Sequence, residues 1–171
     1  MKARTALISG AAVAAGAVLM LSLAWGLQHA ALSSPQLLGR PAPPLAIAQL
    51  NGTQIQVTQL RGRPVVLNFW SSWCGPCVQE LPVLTAAHDA HPQVAFVGAD
   101  MQDTAGGLTT FERSHPHPYP IGPIIAGSYQ SYGVIGPPVT VFINAQGSVT
   151  ASFSGPLDPT TLEHYMGLIS Q

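Results

Sequence analysis

The run Val65-Val66-Leu67-Asn68-Phe69-Trp70 is followed within four residues by Cys74-Gly75-Pro76-Cys77, and from Gly75 to about Ala90 the pattern turns helical. That order constrains the chain more than anything else in it. A nearly unbroken apolar run of strand length has no solvent face, so it must be covered on both sides. A tight turn then presents a cysteine at the start of a helix. Pro76 is tolerated in the first helical turn, where a missing N–H leaves no bond unmade.

Cys-x-x-Cys in that setting carries specific chemistry. Thiol–disulfide exchange needs an exposed attacking thiolate and a second thiol near enough to resolve the mixed disulfide. Cys74 at the helix N-terminus has unpaired N–H groups and the macrodipole to stabilise a thiolate, and Cys77 comes one turn later, less exposed. The pair are the chain's only cysteines. A structural cross-link elsewhere is therefore excluded, and so is a four-cysteine zinc site. No cofactor beyond a Cys74–Cys77 disulfide is expected.

The rest of the pattern gives an α/β order. Leu45 to Ile47 and Thr53 to Val57, joined around Asn51-Gly52, read as a hairpin. Val94 to Ala99 reads as a second buried strand, and Ala105 to Ser114 as a short helix. The alternating prolines of His115-Pro116-His117-Pro118-Tyr119-Pro120 forbid a helix there, and Ser128 to Tyr132 fits a short helical turn. Val139 to Ile143 and Ser148 to Phe153 are strands joined by a turn at Asn144–Gly147. Asp158-Pro159 caps a last helix with Leu162, Tyr165, Met166 and Ile169 on one face.

Ahead of this domain, expected over 45–171, lie three segments. Residues 1–5 carry Lys2 and Arg4, and from Ala6 to Leu27 no residue is charged. About 20 helical residues reach about 30 Å, a bilayer's apolar thickness. The length favours a retained single-pass anchor over 6–27; a cleaved signal peptide is the competing reading. Both place the remainder of the chain outside the cytoplasm, with Lys2 and Arg4 inside. Residues 28–44 read as a linker. Charged residues are only 8% of the chain and the formal net charge is −1, which leaves no footprint for nucleic acid. Nothing demands a second subunit, and a monomer is expected.

Two further residues invite a role. Glu80 lies about 60° round the helix from Cys77, on the margin of the apolar face set by Cys77, Leu81 and Leu84. A partly desolvated carboxylate there has a raised pKa and can exchange a proton with Cys77; an ordinary solvated helix glutamate fits the spacing equally. Pro138, opening the strand at Val139, is either a cis proline beside an extended substrate or a simple strand-start proline. His115 and His117 are read as exposed loop histidines rather than metal ligands. His88 and His91 are expected to face the last carbonyls of their helix.

Together these residues resemble a known family, the membrane-anchored, extracytoplasmic thioredoxin-like reductases ResA, TlpA and CcmG (DsbE). The resemblance covers roughly residues 39–171. Asn68 to Cys77 is similar to the family's NFWxxWCxPC, Val78-Gln79-Glu80-Leu81-Pro82 to its CxxExP continuation, and Gly133 to Ile143 to GVxGxPxTxFI. The resemblance implies a thioredoxin-like fold, a central mixed sheet flanked by helices, with an added N-terminal hairpin and a helical insertion. It implies Cys74 as attacking thiol, Cys77 as resolving thiol and Glu80 as proton-handling acid. Trp73, a cis Pro138 and Val139 would face the substrate. It also implies a CcdA- or DsbD-type membrane electron donor and an oxidised apocytochrome c as substrate. Two departures leave that substrate open: Val139 stands where the cytochrome-maturation branch often has Glu, and Gly75-Pro76 is thioredoxin's own dipeptide. Two other activities fit a cysteine pair. One is a thiol peroxidase of the peroxiredoxin kind, with Ser71 three residues before Cys74. The other is a Cu(I) chaperone using the pair with His115 or His117.

Overall fold

The structure, a computed structural model, describes residues 37–170 together with 16, 18–20 and 22. The chain divides between Pro35 and Gln36. On the N-terminal side, the described residues Gly16, Val18, Leu19, Met20 and Ser22 are helical. The rest of the expected anchor lies outside the described residues. Among the described residues, no helix is long and apolar enough to cross a membrane.

The second unit is built on one seven-stranded mixed sheet. Its elements are β1 (Leu45–Ala48), β2 (Gln54–Gln56), β3 (Val65–Trp70), α1 (Gly75–Ala90), β4 (Ala95–Asp100), α2 (Ala105–Ser114), β5 (Ile121–Gly127), β6 (Val139–Ile143), β7 (Val149–Ser154) and α3 (Pro159–Ile169). Short 3-10 turns cover Val57–Leu60 and Tyr129–Tyr132. The strand order is β2-β1-β5-β4-β3-β6-β7. β3 runs parallel to β4 and antiparallel to β6, so the strand leading into the cysteines lies inside the sheet. All six β3 residues are buried, as a strand covered on both faces requires.

The alternation of β3 divides the core. Val66 and Trp70 join α1, α2 and α3 through Leu81, Leu84, Leu108, Leu162, Met166 and Ile169. Val65, Leu67 and Phe69 point the other way, onto Ile47, Tyr132, Val134 and Val141. The helices begin where capping chemistry places them. The Cys77 amide donates to Cys74 Sγ, the Gly107 amide to Thr104 and the Thr161 amide to Asp158.

Two features depart from the sequence reading. β5 is not among the strands that the pattern predicts, because Gly122 and Pro123 interrupt it. Gly122 is required there: a Cβ would stand 1.8 Å from the Ala48 carbonyl oxygen of neighbouring β1. A register shift between β1 and β5 leaves Ile125 unpaired and 46% exposed. The hairpin β1–β2 is thereby carried on β5 as the sheet edge, with Ile47 opposite Ile55. Finally, residues 37–44, in the stretch read as linker, are bonded to the domain. Gly39 donates to the Val149 carbonyl at 2.8 Å, Ala42 to that of Gly147 at 2.9 Å, and Tyr132 to that of Pro43 at 2.5 Å.

Candidate active site

Cys74 caps α1 and forms a disulfide with Cys77, with Cα atoms 5.3 Å apart. The Cys77 amide reaches the Cys74 sulfur at 3.2 Å and the Cys74 carbonyl at 3.0 Å. Such an N–H aimed at sulfur is what stabilises a thiolate once the disulfide opens. Both cysteines are only 5% exposed, so Cys74 is not the open thiol of the sequence reading in this oxidised state. Both belong to the buried cluster with Trp70, Leu81 and Leu84; the exposed group beside Cys74 is Trp73, at 60%.

Glu80 lies deeper than the margin of the helix face. It is 1% exposed, and both oxygens are engaged: Asn68 Nδ2 donates to Oε1 at 2.7 Å and the Leu157 amide to Oε2 at 3.1 Å. Asn68 also donates to Thr140 Oγ1 at 3.0 Å, tying β3, β6 and α1 together through one amide group. Burial pushes the Glu80 carboxyl up to about 7, the two hydrogen bonds opposing it only in part. Asn68 and Thr140 were legible as signals, because each is a polar residue inside an otherwise apolar strand run.

The Pro137–Pro138 peptide is cis, and Val139 after it is buried as the first residue of β6. The segment before that peptide carries Ile135, which is 97% exposed. Trp73 and Ile135 are thus large apolar side chains left open to solvent on the loops next to Cys74 and to the cis Pro137–Pro138 peptide.

A second carboxylate group borders the site, and the motif reading contains no trace of it. Asp100, the last residue of β4 and the register partner of Trp70, is 2% exposed with Oδ1 unpartnered. Burial and the neighbouring Asp103 raise it to about 7. Asp103 in turn accepts the Ser72 amide at 2.6 Å and the Ser72 hydroxyl at 2.7 Å. The partners are 31 residues apart in the chain, beyond any local spacing rule.

Three of the histidines need correction. The His117 side chain is 4% exposed, bonded to Glu112 and packed on Trp70 with ring centres 4.4 Å apart. It is a core histidine, and burial lowers its pKa. His115 is the exposed loop histidine expected of it, its ring stacked on Phe111 with centres 4.8 Å apart. His88 and His91 meet the carboxylates of Asp89 and Glu163 rather than helix carbonyls. Among the described residues, no group of three or more His, Cys, Asp or Glu is placed to hold a metal ion. Ser71 is fully buried and its hydroxyl donates to the Trp70 carbonyl at 2.8 Å.

Residues 38–152 match the model of the AhpC/TSA family. The chain belongs to the AhpC/TSA family. The curated proteins it is similar to include thiol–disulfide oxidoreductases named ResA and DsbE. It is 27% identical to the thiol-disulfide oxidoreductase ResA of Bacillus subtilis over 159 residues, covering 89% of this chain and 88% of that one. It is 32% identical to a DsbE homologue of Paracoccus denitrificans, covering 71% and 68%. Among solved structures it resembles a secreted Mycobacterium tuberculosis disulfide oxidoreductase homologous to E. coli DsbE. That likeness has a TM-score of 0.60 and 25% identity, and it covers 73% of this chain and 93% of that one. Membership of the AhpC/TSA family, the thioredoxin-like fold and the disulfide-forming pair make the chain a thiol–disulfide oxidoreductase.

Proposed function

We propose that this chain is a membrane-tethered reductase of extracytoplasmic protein disulfides, with apocytochrome c as its substrate during cytochrome c maturation. The observation that carries the reading is Glu80: a fully buried carboxyl, three residues after Cys77 on one helix face, that changes protonation near neutral pH. A general base works best when its pKa lies near the working pH. Cys74 thiolate attacks one sulfur of the substrate disulfide, breaking that bond and releasing a substrate thiolate. Glu80 takes the proton of Cys77. The Cys77 thiolate then attacks Cys74 Sγ, closing the Cys74–Cys77 disulfide and releasing the second substrate thiolate. Two electrons pass to the substrate, and the protons of the dithiol reach it through Glu80 and solvent. Trp73, Pro138 and Val139 face the bound segment. A CcdA- or DsbD-type membrane protein restores the dithiol, and the apolar segment 6–27 keeps the domain at the outer face of the membrane.

The relatives' names support the chemistry, and the sequence of the N-terminus supports the tether. A full-length Cys77→Ser chain, which cannot resolve the mixed disulfide, tests the substrate. Covalent capture of a c-type apocytochrome on Cys74 is expected. A set of captured proteins without one contradicts the maturation role.

A further inference from the structure

The loop between β3 and α1 is held from outside by one side chain. Asp103 uses both carboxylate oxygens on Ser72, taking its N–H and its O–H. The Cys74 amide donates back to the Ser71 carbonyl at 3.1 Å, so Ser71 to Cys74 form one closed turn. Holding Ser72 therefore holds the residue that caps α1. Charge-assisted hydrogen bonds of this length are among the stronger ones a loop can make.

Asp103 does not act alone. Asp100 ends β4 beside Trp70, and the Met101 amide donates to the Trp70 carbonyl at 3.0 Å. The two strand ends are thus fastened together where the loop begins. Asp100 is 2% exposed and its Oδ1 has no partner among the described residues. A buried carboxylate oxygen without a partner next to a second carboxylate is the place for a proton. The charged group acting on it is Asp103 on its own turn, and the Glu112–His117 pair from α2 and the loop after it packs on the ring of Trp70, the register partner of Asp100.

We propose that Asp100, protonated beside the Asp103 side chain, lets Asp103 position the attacking thiol through Ser72. With the proton on Asp100, Asp103 keeps its grip on Ser72, and the Trp73–Cys74 turn is fixed. When that proton leaves, two like charges face each other beside a buried strand end. Half-buried Asp103 then turns towards solvent and releases Ser72. The site is therefore firm below neutral pH and loosened above it, and the agent is a carboxyl pair rather than the thiols. Asp103 is a positioning residue, acting on Cys74 through Ser72. The proposal rests on Cys74 being the attacking thiol.

The test uses the full-length oxidised chain, in which the cysteines do not titrate, and carries Glu80→Gln so that this carboxyl is silent. The amide resonance of Ser72, tracked by NMR between pH 5 and pH 9, is expected to move with a midpoint near 7, and Asp100→Asn to abolish the movement. With insulin disulfide as probe, Asp103→Ala in the otherwise native chain is expected to lower kcat about tenfold with little change in KM. Asp103→Asn, which keeps one oxygen for Ser72, is expected to recover most of that loss. A Ser72 resonance indifferent to pH overturns the pair without needing any Asp100 variant. Native kcat in a folded Asp103→Ala chain overturns the positioning role. Alkylation of the reduced chain with mass-spectrometric assignment separates the two levels. Reaction at Cys77 instead of Cys74 removes the attacking-thiol assignment, while the Ser72 titration still decides the pair.

Discussion

Glu80 and Asp100 are both buried carboxyls on the helix-covered face, and both are raised to about 7, yet they are built differently. Glu80 has a donor on each oxygen, both neutral, and its shift comes from burial alone. Asp100 has an empty oxygen and a second carboxylate as neighbour. The difference teaches that one apparent pKa can arise from two devices. A satisfied, isolated carboxyl keeps its place in either protonation state and suits proton transfer. A carboxyl beside a like charge changes its surroundings when it ionises, and suits control of a loop. The first sits three residues from Cys77 and the second is linked to the turn before Cys74, so the two halves of the dithiol have separate partners.

Stability against pH should show the largest effect. Both groups hold protons in the folded state that the unfolded chain gives up in the ordinary carboxylate range. Their contribution is therefore complete below that range and is lost as pH rises through about 7. For Glu80 alone the loss is roughly 3 kcal/mol. Denaturant unfolding of the oxidised chain at pH 5 and pH 8 measures it. Glu80→Gln and Asp100→Asn should each remove part of the difference, and variants that keep the full native difference would show that neither group is shifted.

Rate separates the two devices next. Glu80→Gln is expected to slow disulfide reduction at neutral pH by about a hundredfold, close to 2.7 kcal/mol, and to remove the limb of the pH profile near 7. Asp100→Asn, which replaces a proton-holding carboxyl with a neutral amide, should cost less than about threefold at pH 6. Equal losses in the two variants would break the distinction. A smaller effect is expected for Asn68→Ala, which leaves Glu80 Oε1 without its 2.7 Å donor. Stability should fall by about 1–2 kcal/mol and the Glu80 midpoint should rise, both readable in one titration series.

The sequence contained the first device and not the second. Cys77 and Glu80 share one helix that Cys74 caps, so 3.6-residue periodicity alone puts Cys77 and Glu80 on related faces. Asn68 advertises itself as an amide inside Val65–Trp70, though its bond to Glu80 depends on how α1 lies over the sheet. The Leu157 amide is 77 residues from Glu80, and only the return of the chain after β7 brings it there. Asp100 reads as the polar end of an apolar strand, and nothing local links Asp103 to Ser72. That contact exists because β3 and β4 are parallel neighbours whose C-terminal ends open on the same edge of the sheet. β5 was hidden for a related reason: close backbone approach selects Gly122, and glycine reads as a break when no neighbour is in view. Burial of His117 comes from packing on Trp70, which no spacing in a proline-rich loop discloses.

The most direct test is a carbon-13 NMR titration of the Glu80 side-chain carboxyl in the full-length oxidised chain, assigned by its loss in Glu80→Gln. A midpoint near 7 is expected, from a carboxyl 1% exposed and held by two neutral donors. A midpoint at the ordinary glutamate value of 4.5 would mean that the charge is solvated after all, and would contradict Glu80 as the proton acceptor for Cys77.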